Sequence, residues 1–213
     1  KDMTCTFITN YEREPWRGYG LGPPRIFWLI RSGAAWDQAA QELYPGGSYG
    51  NGSAMRVAPV GVLYHDNPAR LREIATKSSQ ITHTHNLGQE GAALQAYAIA
   101  VATAIKPPRT LDSGSFLTEL VGYMPDGIYR EKLSRIPALL GQPDKNRVIR
   151  ELGNGIEAFN SVDKTIHAMD NALRPMYEEW LNWKKECRWN GDIPTCPIWI
   201  NLPASWRNSS ATK

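Results

Sequence analysis

The sequence predicts an all-α protein, a compact domain built from many helices. Apolar side chains recur three or four positions apart along much of the chain, as at Leu71, Ile74 and Ile81. This spacing places them on one face of a helix, whereas no strand-type alternation is evident. An alanine-rich stretch, 91–105, is apolar on all sides, which is typical of a helix buried among others. A chain of 213 residues is long enough to bury such a core.

The first part of the chain predicts three short helices and a loop. Residues 3–11 are interpreted as the end of a helix whose beginning is missing. Residues 15–24 contain three glycines and a Pro-Pro pair, which predict a loop. Two short helices are expected over 25–32 and 34–43, the second with its apolar residues at helical spacing.

The next segment, 54–64, is almost wholly apolar, so its periodicity does not separate a helix from a strand. Pro59 and Gly61 would kink a helix there. A single buried helix is favoured because the surrounding segments are helical. Asn67 is then placed to cap a new amphipathic helix that reaches Ile81.

A polar segment, residues 82–88, leads into the alanine-rich stretch and is called the histidine segment below. We predict that 91–105 forms the central core helix. His83 and His85 then precede the N-terminal end of a long helix, where the helix dipole favours anions. No function is assigned to His85.

The last helices are expected over 115–123, 129–140, a segment beginning near Lys145, and 156–169. A short glycine-containing segment, 151–156, separates the final two. The pattern then changes, since five of the eight tryptophans fall in the last 34 residues. We therefore divide the chain into a helical domain, 1–170, and a tail of different composition, 171–213.

Composition and charge argue against several classes of function. The net charge is +3 and the basic residues are scattered, so no nucleic-acid partner is expected. Three dispersed cysteines form neither a disulfide framework nor a metal motif and suggest a reducing compartment. No apolar run reaches the roughly 18 residues that span a membrane, and no signal peptide opens the chain. A cytoplasmic protein without a membrane partner is expected.

Residues 47–52, Gly-Ser-Tyr-Gly-Asn-Gly, form the candidate binding element and are called the glycine loop below. Its three glycines allow positive φ angles and close approach of the backbone to a ligand. Consecutive N–H groups in such a loop bind anions such as phosphate, and Tyr49 offers a flat ring for a base. The loop matches neither GxGxxG nor GxxxxGK[ST]. The alternative is a plain glycine-rich turn before a buried segment.

Four segments resemble motifs of the ADP-ribosylglycohydrolase family, which includes ADP-ribosyl-serine hydrolases and dinitrogenase reductase-activating glycohydrolases. The glycine loop and its continuation to Val57 give the most specific resemblance. The weaker matches are Arg17-Gly18-Tyr19-Gly20, Thr82-His83 with Leu87-Gly88 and Gly91-Ala92, and Leu152-Gly153-Asn154-Gly155-Ile156-Glu157-Ala158-Phe159. All four follow the family order, and together they resemble the middle part of the family sequence.

The resemblance implies an all-α fold with ADP-ribose in a cleft and two Mg²⁺ ions at its floor. By match to the family motif, Gly47, Ser48, Gly50 and Asn51 would bind the diphosphate and ribose. Tyr49 would lie against the adenine. The expected partner is ADP-ribose or an ADP-ribosylated protein.

Other predicted site residues come from the weaker motifs. The resemblance implies that His83 hydrogen-bonds in the same pocket and that Ile156 lines it. Gly18 and Gly20 would lie near the distal ribose. Arg56 is polar within an apolar run, so we expect it to be buried and paired, with a structural role.

The activity that the resemblance implies is hydrolysis, in which ADP-ribose is removed by cleavage of the glycosidic bond at the ribose anomeric carbon. A metal-bound water would supply the nucleophile, and Mg²⁺ prefers carboxylate ligands. The family's metal-binding segments, among them Thr-Asp-Asp-Thr and Gly-Gly-Asp-Thr-Asp-Thr, do not occur in these 213 residues. No metal ligand or catalytic residue is therefore assigned, and the chain carries the nucleotide-binding half of the site.

Three hypotheses follow from these observations. The favoured one is an ADP-ribosyl hydrolase truncated at both ends, because the motif matches are ordered along most of the chain. The second is a non-catalytic family member, either ADP-ribose-binding or structural in the manner of a crystallin. The third is an unrelated helical protein whose glycine segments are only turns.

Overall fold

Helices form all of the regular structure in the described part of the chain, which comprises residues 2–105, 111–141 and 144–168 of a computed structural model. They are, in chain order, α1 (Asp2–Arg13), α2 (Gly22–Arg31), α3 (Ala39–Leu43), α4 (Gly52–Met55), α5 (Ala58–Leu63), α6 (Pro68–Gln80), α7 (Asn86–Ala104), α8 (Ser113–Tyr123), α9 (Ile128–Arg135), a 3-10 helix (Ile136–Leu139), α10 (Lys145–Leu152) and α11 (158–168). No strand occurs in these ranges, and an isolated antiparallel bridge joins Gly50 and Glu157. The predicted all-α class is confirmed. The predicted tail, 171–213, lies outside the described residues.

Helix α7 lies at the centre of the packing and contacts α4, α5, α6 and α8. Ala92 and Ala96 belong to a buried cluster with apolar residues of α5 and α6. Leu94 and Ala98 belong to a second buried cluster with apolar residues of α8, α9 and α11. Small side chains on α7 let helices approach it from both sides. The prediction of a central core helix in the alanine-rich stretch is confirmed.

Two glycines mark the closest contacts around α7. A Cβ at Gly61 in α5 would lie 2.5 Å from the carbonyl oxygen of Ala96. A Cβ at Gly91 in α7 would lie 2.4 Å from the hydroxyl of Tyr129. That hydroxyl donates to the carbonyl of Leu87 at 2.6 Å, so α9 is fixed to the first turn of α7. These packing contacts require the absence of a side chain at both glycines.

The prediction of a single buried helix over 54–64 is wrong. The segment forms two short helices, α4 and α5, with Arg56 and Val57 between them. Pro59 lies in the first turn of α5, where its missing N–H removes no helical hydrogen bond. Val57 is fully buried, whereas Leu63 is 72% exposed. The segment is therefore a buried turn followed by a half-exposed helix.

Several helix boundaries also differ from the prediction. Helix α2 begins at Gly22, with the Pro-Pro pair in its first turn, so the loop assigned to 15–24 ends too late. Only Ala39–Leu43 is helical within the predicted 34–43. The helix predicted over 129–140 changes to a 3-10 helix at Ile136, because the proline that follows it does not continue an α-helix.

Helix caps explain where α6 and α7 begin. Asn67 accepts a hydrogen bond from the Arg70 N–H at 3.0 Å, so the predicted cap of α6 is confirmed. His85 accepts from the Leu87 N–H through Nδ1 at 3.1 Å, and α7 therefore begins at Asn86 rather than at residue 91. None of the described helices combines the length and apolar character of a membrane-spanning segment.

We expect Gly91→Ala to destabilise the protein by about 1–3 kcal/mol, because overpacking a tight interior has this effect. The matched control is Gly122→Ala in α8, where a Cβ would meet nothing within 4 Å. Helix propensity alone predicts that the control gains up to about 1 kcal/mol. The measurement is the free energy of unfolding in urea. Equal stabilities of the two variants would contradict the close contact between α7 and α9.

Candidate functional site

The glycine loop is joined by main-chain hydrogen bonds to residues 156–158. The Asn51 N–H donates to the Ile156 carbonyl at 2.9 Å, and the Ala158 N–H donates to the Tyr49 carbonyl at 2.8 Å. These two bonds flank the isolated pairing of Gly50 with Glu157. The fold therefore brings the predicted site residue Ile156 to the loop, although the two are far apart in sequence.

Side-chain hydrogen bonds also connect the glycine loop to the segment around residues 155–161. The Asn51 amide donates through Nδ2 to the hydroxyl of Ser161 at 2.9 Å, and that hydroxyl donates to the Gly155 carbonyl at 3.0 Å. Ser161 was not identified from the sequence, since a serine within a helical pattern carries no signal for such a contact. Asn51 thus stabilises the position of the loop.

On its other side the glycine loop lies so close to the histidine segment that their main chains are in contact. A Cβ at Gly47, whose φ is +86°, would lie 2.4 Å from the main-chain nitrogen of His85. A Cβ at Gly88 would lie 2.9 Å from the Ser48 carbonyl oxygen. The N-terminal turn of α7 therefore lies directly against the loop, and its dipole contributes positive potential there.

His83 packs against the glycine loop and is 8% exposed. Its Nε2 would lie 3.4 Å from a Cβ at Gly50 and 3.1 Å from a Cβ at Gly52. Its main chain is held by Ser79, whose carbonyl accepts from the His83 N–H at 2.7 Å and whose hydroxyl donates to the His83 carbonyl at 3.1 Å. The structure thus brings this predicted histidine together with the loop.

The electrostatics of His83 are set by burial and by Arg56. Burial, followed by the positive charge of Arg56, lowers the pKa of His83 to about 4. Its Nδ1 lies 2.7 Å from the Thr82 hydroxyl, and Arg56 Nη2 donates to the same hydroxyl at 2.8 Å. Arg56 is thus partly buried and hydrogen-bonded, and the burial of its guanidinium group lowers its own pKa to about 10. His83 is a neutral imidazole near pH 7.

Tyr49 is 47% exposed, so its ring is available to a ligand. Its ring centroid lies 5.4 Å from that of His85, edge to face, and 6.2 Å from that of Phe159 at a tilt of 33°. His85 therefore has two roles that sequence reasoning missed, as the cap of α7 and as a neighbour of Tyr49. Ser48 accepts from the Gly50 N–H through its hydroxyl at 3.3 Å.

The remaining predicted residues lie in different surroundings. Ile156 is 79% exposed, and its main chain rather than its side chain joins the loop. Gly18 and Gly20 lie in an exposed turn after α1, and Tyr19 between them packs on Tyr11 of α1. The contacts described for this turn run to α1. Its role near the distal ribose stays a prediction.

Lys132 in α9 stabilises the connection between α10 and α11. Its ammonium group donates to the carbonyls of Leu152 and Phe159 at 2.8 and 2.7 Å and to the Asn160 side chain at 2.7 Å. It therefore joins the end of α10 to the start of α11. Sequence reasoning missed this lysine, because its three acceptors come together only in the fold.

Asp163 in α11 is fully buried, and neither carboxylate oxygen has a hydrogen-bond partner among the described residues. Burial raises the pKa of Asp163 to about 7, although Lys132 and the residue's own main-chain N–H oppose this increase. An unpartnered carboxylate in the interior disfavours its charged form. The group is therefore partly neutral at physiological pH.

Among the described residues, no three side chains of His, Cys, Asp or Glu lie close enough together to hold a metal ion. These residues therefore do not fit the two-Mg²⁺ site that the family resemblance implies. No metal-dependent step is assigned to any of them.

The fold and the glycine loop agree with a sequence comparison. The chain matches the sequence model of the ADP-ribosylglycohydrolase family over residues 2–183, and it belongs to this family. It is 35% identical to ADP-ribosylhydrolase ARH3 of Xenopus tropicalis over 199 residues, which cover 84% of this chain and 56% of the relative. The Homo sapiens ADP-ribosylhydrolase ARH3 is 34% identical over 197 residues, with coverages of 82% and 53%. The chain spans about half the length of the curated relatives it matches.

Replacing Gly47 tests the close contact with the histidine segment. Gly46 and Gly47 share a φ of +86°, so alanine at either position pays about 1–2 kcal/mol of backbone strain. A Cβ at Gly46 meets nothing within 4 Å, whereas at Gly47 it also clashes with His85. We expect Gly47→Ala to lower the free energy of unfolding by more than Gly46→Ala, measured in urea. Equal losses would mean that the loop and the histidine segment are not in contact.

The pKa of Asp163 predicts a pH dependence of stability. The carboxyl binds its proton more tightly in the folded state, with a pKa of about 7, than in the unfolded chain, with a pKa of about 3.9. Its stabilising contribution is complete below about pH 4 and is lost as the pH rises to about 7. At ~1.4 kcal/mol per pKa unit, the loss reaches about 4 kcal/mol.

The matching experiment compares the unaltered protein with Asp163→Asn by urea unfolding at pH 5 and pH 8. The variant does not titrate at this position, so it should gain stability relative to the unaltered protein as the pH rises. A stability difference that is the same at both pH values would show that Asp163 is not held in an apolar, unpartnered environment.

Proposed function

We propose that this chain binds ADP-ribose at the glycine loop and forms the nucleotide-binding part of an ADP-ribosyl hydrolase, an enzyme that removes ADP-ribose from modified proteins. One observation carries the proposal. The glycine loop, the histidine segment and residues 156–158 are distant in sequence, yet they converge on one another. The name of the relatives, ADP-ribosylhydrolase, agrees with this substrate class.

The diphosphate is assigned to main-chain groups of the glycine loop. The N–H groups of Gly47, Gly50 and Asn51 already donate within the chain. In the described part of the chain, those of Ser48 and Tyr49 have no acceptor, so they are the donors proposed for phosphate oxygens. The adjacent N-terminal turn of α7, which contains no acidic residue, favours an anion at this position.

The nucleoside is assigned to side chains around the loop. The half-exposed ring of Tyr49 provides a stacking surface for adenine. The Asn51 amide nitrogen is engaged by Ser161, which leaves its Oδ1 to accept from a ribose hydroxyl. The exposed side chain of Ile156 offers apolar contact next to the loop.

The proposed reaction requires two things, namely binding of the ADP-ribosyl group and cleavage of its glycosidic bond. Cleavage at the anomeric carbon requires a nucleophilic water and stabilisation of an oxocarbenium-like transition state. The described residues hold and orient the ADP-ribosyl group, and this positioning lowers the barrier by fixing the reacting geometry. The Mg²⁺ dependence implied by the resemblance is not assigned to any described residue.

We expect the chain to bind ADP-ribose saturably in a calorimetric titration and Tyr49→Ala to weaken that binding roughly tenfold or more, since base stacking on an aromatic ring contributes about 1–3 kcal/mol. The matched control is Tyr49→Phe, which keeps the ring and loses only the hydroxyl. A titration without saturation, or Tyr49→Ala binding as tightly as the control, would contradict the proposed site.

The hydrolase and the non-catalytic alternative are separated by a second assay. An ADP-ribosylated peptide is incubated with the chain, with and without Mg²⁺, and released ADP-ribose is measured. Release supports the hydrolase, and its dependence on Mg²⁺ tests the metal requirement. Binding without release supports the nucleotide-binding part of the proposal and leaves both the hydrolase and the non-catalytic protein as candidates.

A further inference from the structure

Arg56 reaches from the turn between α4 and α5 to the end of α6. Its Nη2 donates to the Ser78 carbonyl and to the Thr82 hydroxyl, both at 2.8 Å. Its guanidinium carbon lies 4.8 Å from the ring centroid of Phe7, so α1 covers it. Its Nε is buried and has no hydrogen-bond partner among the described residues. Both of these hydrogen bonds are made by Nη2.

The Thr82 hydroxyl accepts one proton from Arg56 Nη2 and has one of its own to donate. Thr82 is 2% exposed, so its hydroxyl proton needs an acceptor within the protein. His83 Nδ1 lies 2.7 Å from the hydroxyl oxygen. If Thr82 donates to Nδ1, this nitrogen carries no proton, and the proton of the neutral imidazole resides on Nε2.

The geometry then orients a single N–H group toward the glycine loop. Nε2 is the ring nitrogen that lies against Gly50 and Gly52, where the absence of side chains leaves room for it. The main chain of His83 is fixed by Ser79, so the ring has little freedom to turn away. The positive charge of Arg56 also disfavours a second proton on the ring.

We propose that Arg56 and Thr82 are positioning residues that hold His83 as a neutral donor, with its proton on Nε2 directed at the ADP-ribose in the glycine loop. The role of the donor rests on the proposed function, whereas the tautomer is a property of the free protein. The tautomer of a ligand-binding histidine is commonly set by the hydrogen bond of its other nitrogen. Here the Thr82 hydroxyl makes that bond, and the same hydroxyl accepts from the guanidinium group of Arg56.

The first test is the tautomer of His83 in the unaltered chain. The protein is labelled with ¹⁵N-histidine, and the two ring nitrogens of His83 are assigned by NMR between pH 5.5 and pH 8. We expect Nδ1 to show the signal of an unprotonated nitrogen and Nε2 that of a protonated one throughout this range. A proton on Nδ1, a mixture of tautomers, or an imidazolium in this range would overturn the proposal.

The second test changes the hydrogen-bonded chain from Arg56 through Thr82 to His83, called the relay below. It measures both the tautomer of His83 and the binding of ADP-ribose. Thr82→Val removes the hydroxyl at nearly constant volume, and we expect a mixed tautomer and roughly tenfold weaker binding. Thr82→Ser keeps the hydroxyl and should restore both. Thr118→Val in α8 is the matched control, since its exposed hydroxyl donates to the Gly114 carbonyl at 2.8 Å and lies outside the glycine loop, the histidine segment and the relay.

The outcomes separate this proposal from the proposed function. A Thr82→Val variant with the unaltered tautomer would overturn the relay. A changed tautomer with unchanged affinity would overturn the role of His83 as the oriented donor. Absence of ADP-ribose binding by the unaltered chain would overturn the proposed function itself, and it is detected in the titration rather than in the NMR of the free protein.

Discussion

Between Gly47 and His85, two backbone segments meet with no space for a side chain, and the geometry of the candidate site depends on this contact. A Cβ at Gly47 would lie 2.4 Å from the His85 nitrogen, and Gly88 makes a similar approach to the carbonyl of Ser48. The contact places the N-terminal turn of α7 against the glycine loop. Because α7 is also the central helix of the core, the position of the loop is determined by the packing of the whole domain.

Buried polar groups around the site differ in how well they are satisfied. Lys132 makes three hydrogen bonds and so stabilises the junction of α10 with α11. Arg56 donates from Nη2 to two acceptors, and its Nε has no partner in the part of the chain that the structure describes. Within the described ranges, Asp163 has no hydrogen-bond partner for either oxygen. Lys132 therefore stabilises the region. An unpaired buried charge destabilises a fold, so Asp163 lowers the stability of the protein above neutral pH.

These features connect the core to the proposed binding of ADP-ribose. In the described part of the chain the N–H groups of Ser48 and Tyr49 have no acceptor, whereas the Asn51 N–H and the Tyr49 carbonyl join the loop to residues 156–158. Rigid attachment on both sides reduces the entropy that a ligand would lose in ordering the loop. The ligand then meets a neutral histidine rather than a charged one, because burial and Arg56 disfavour the imidazolium. The proposed binding site is therefore held in place before a ligand arrives.

The sequence by itself determined the all-α class, the central alanine-rich helix, the Asn67 cap and the family, because periodicity, capping and glycine motifs are local signals. The glycine loop was also recognisable, since its residue types carry the motif. Only the tertiary structure decided that Ser161, Lys132 and Arg56 support the site, because their partners lie far away along the chain. The tertiary structure also decided that 54–64 contains parts of two helices rather than one. Val57 lies between them and is fully buried by its packing against other helices, which local propensity does not predict.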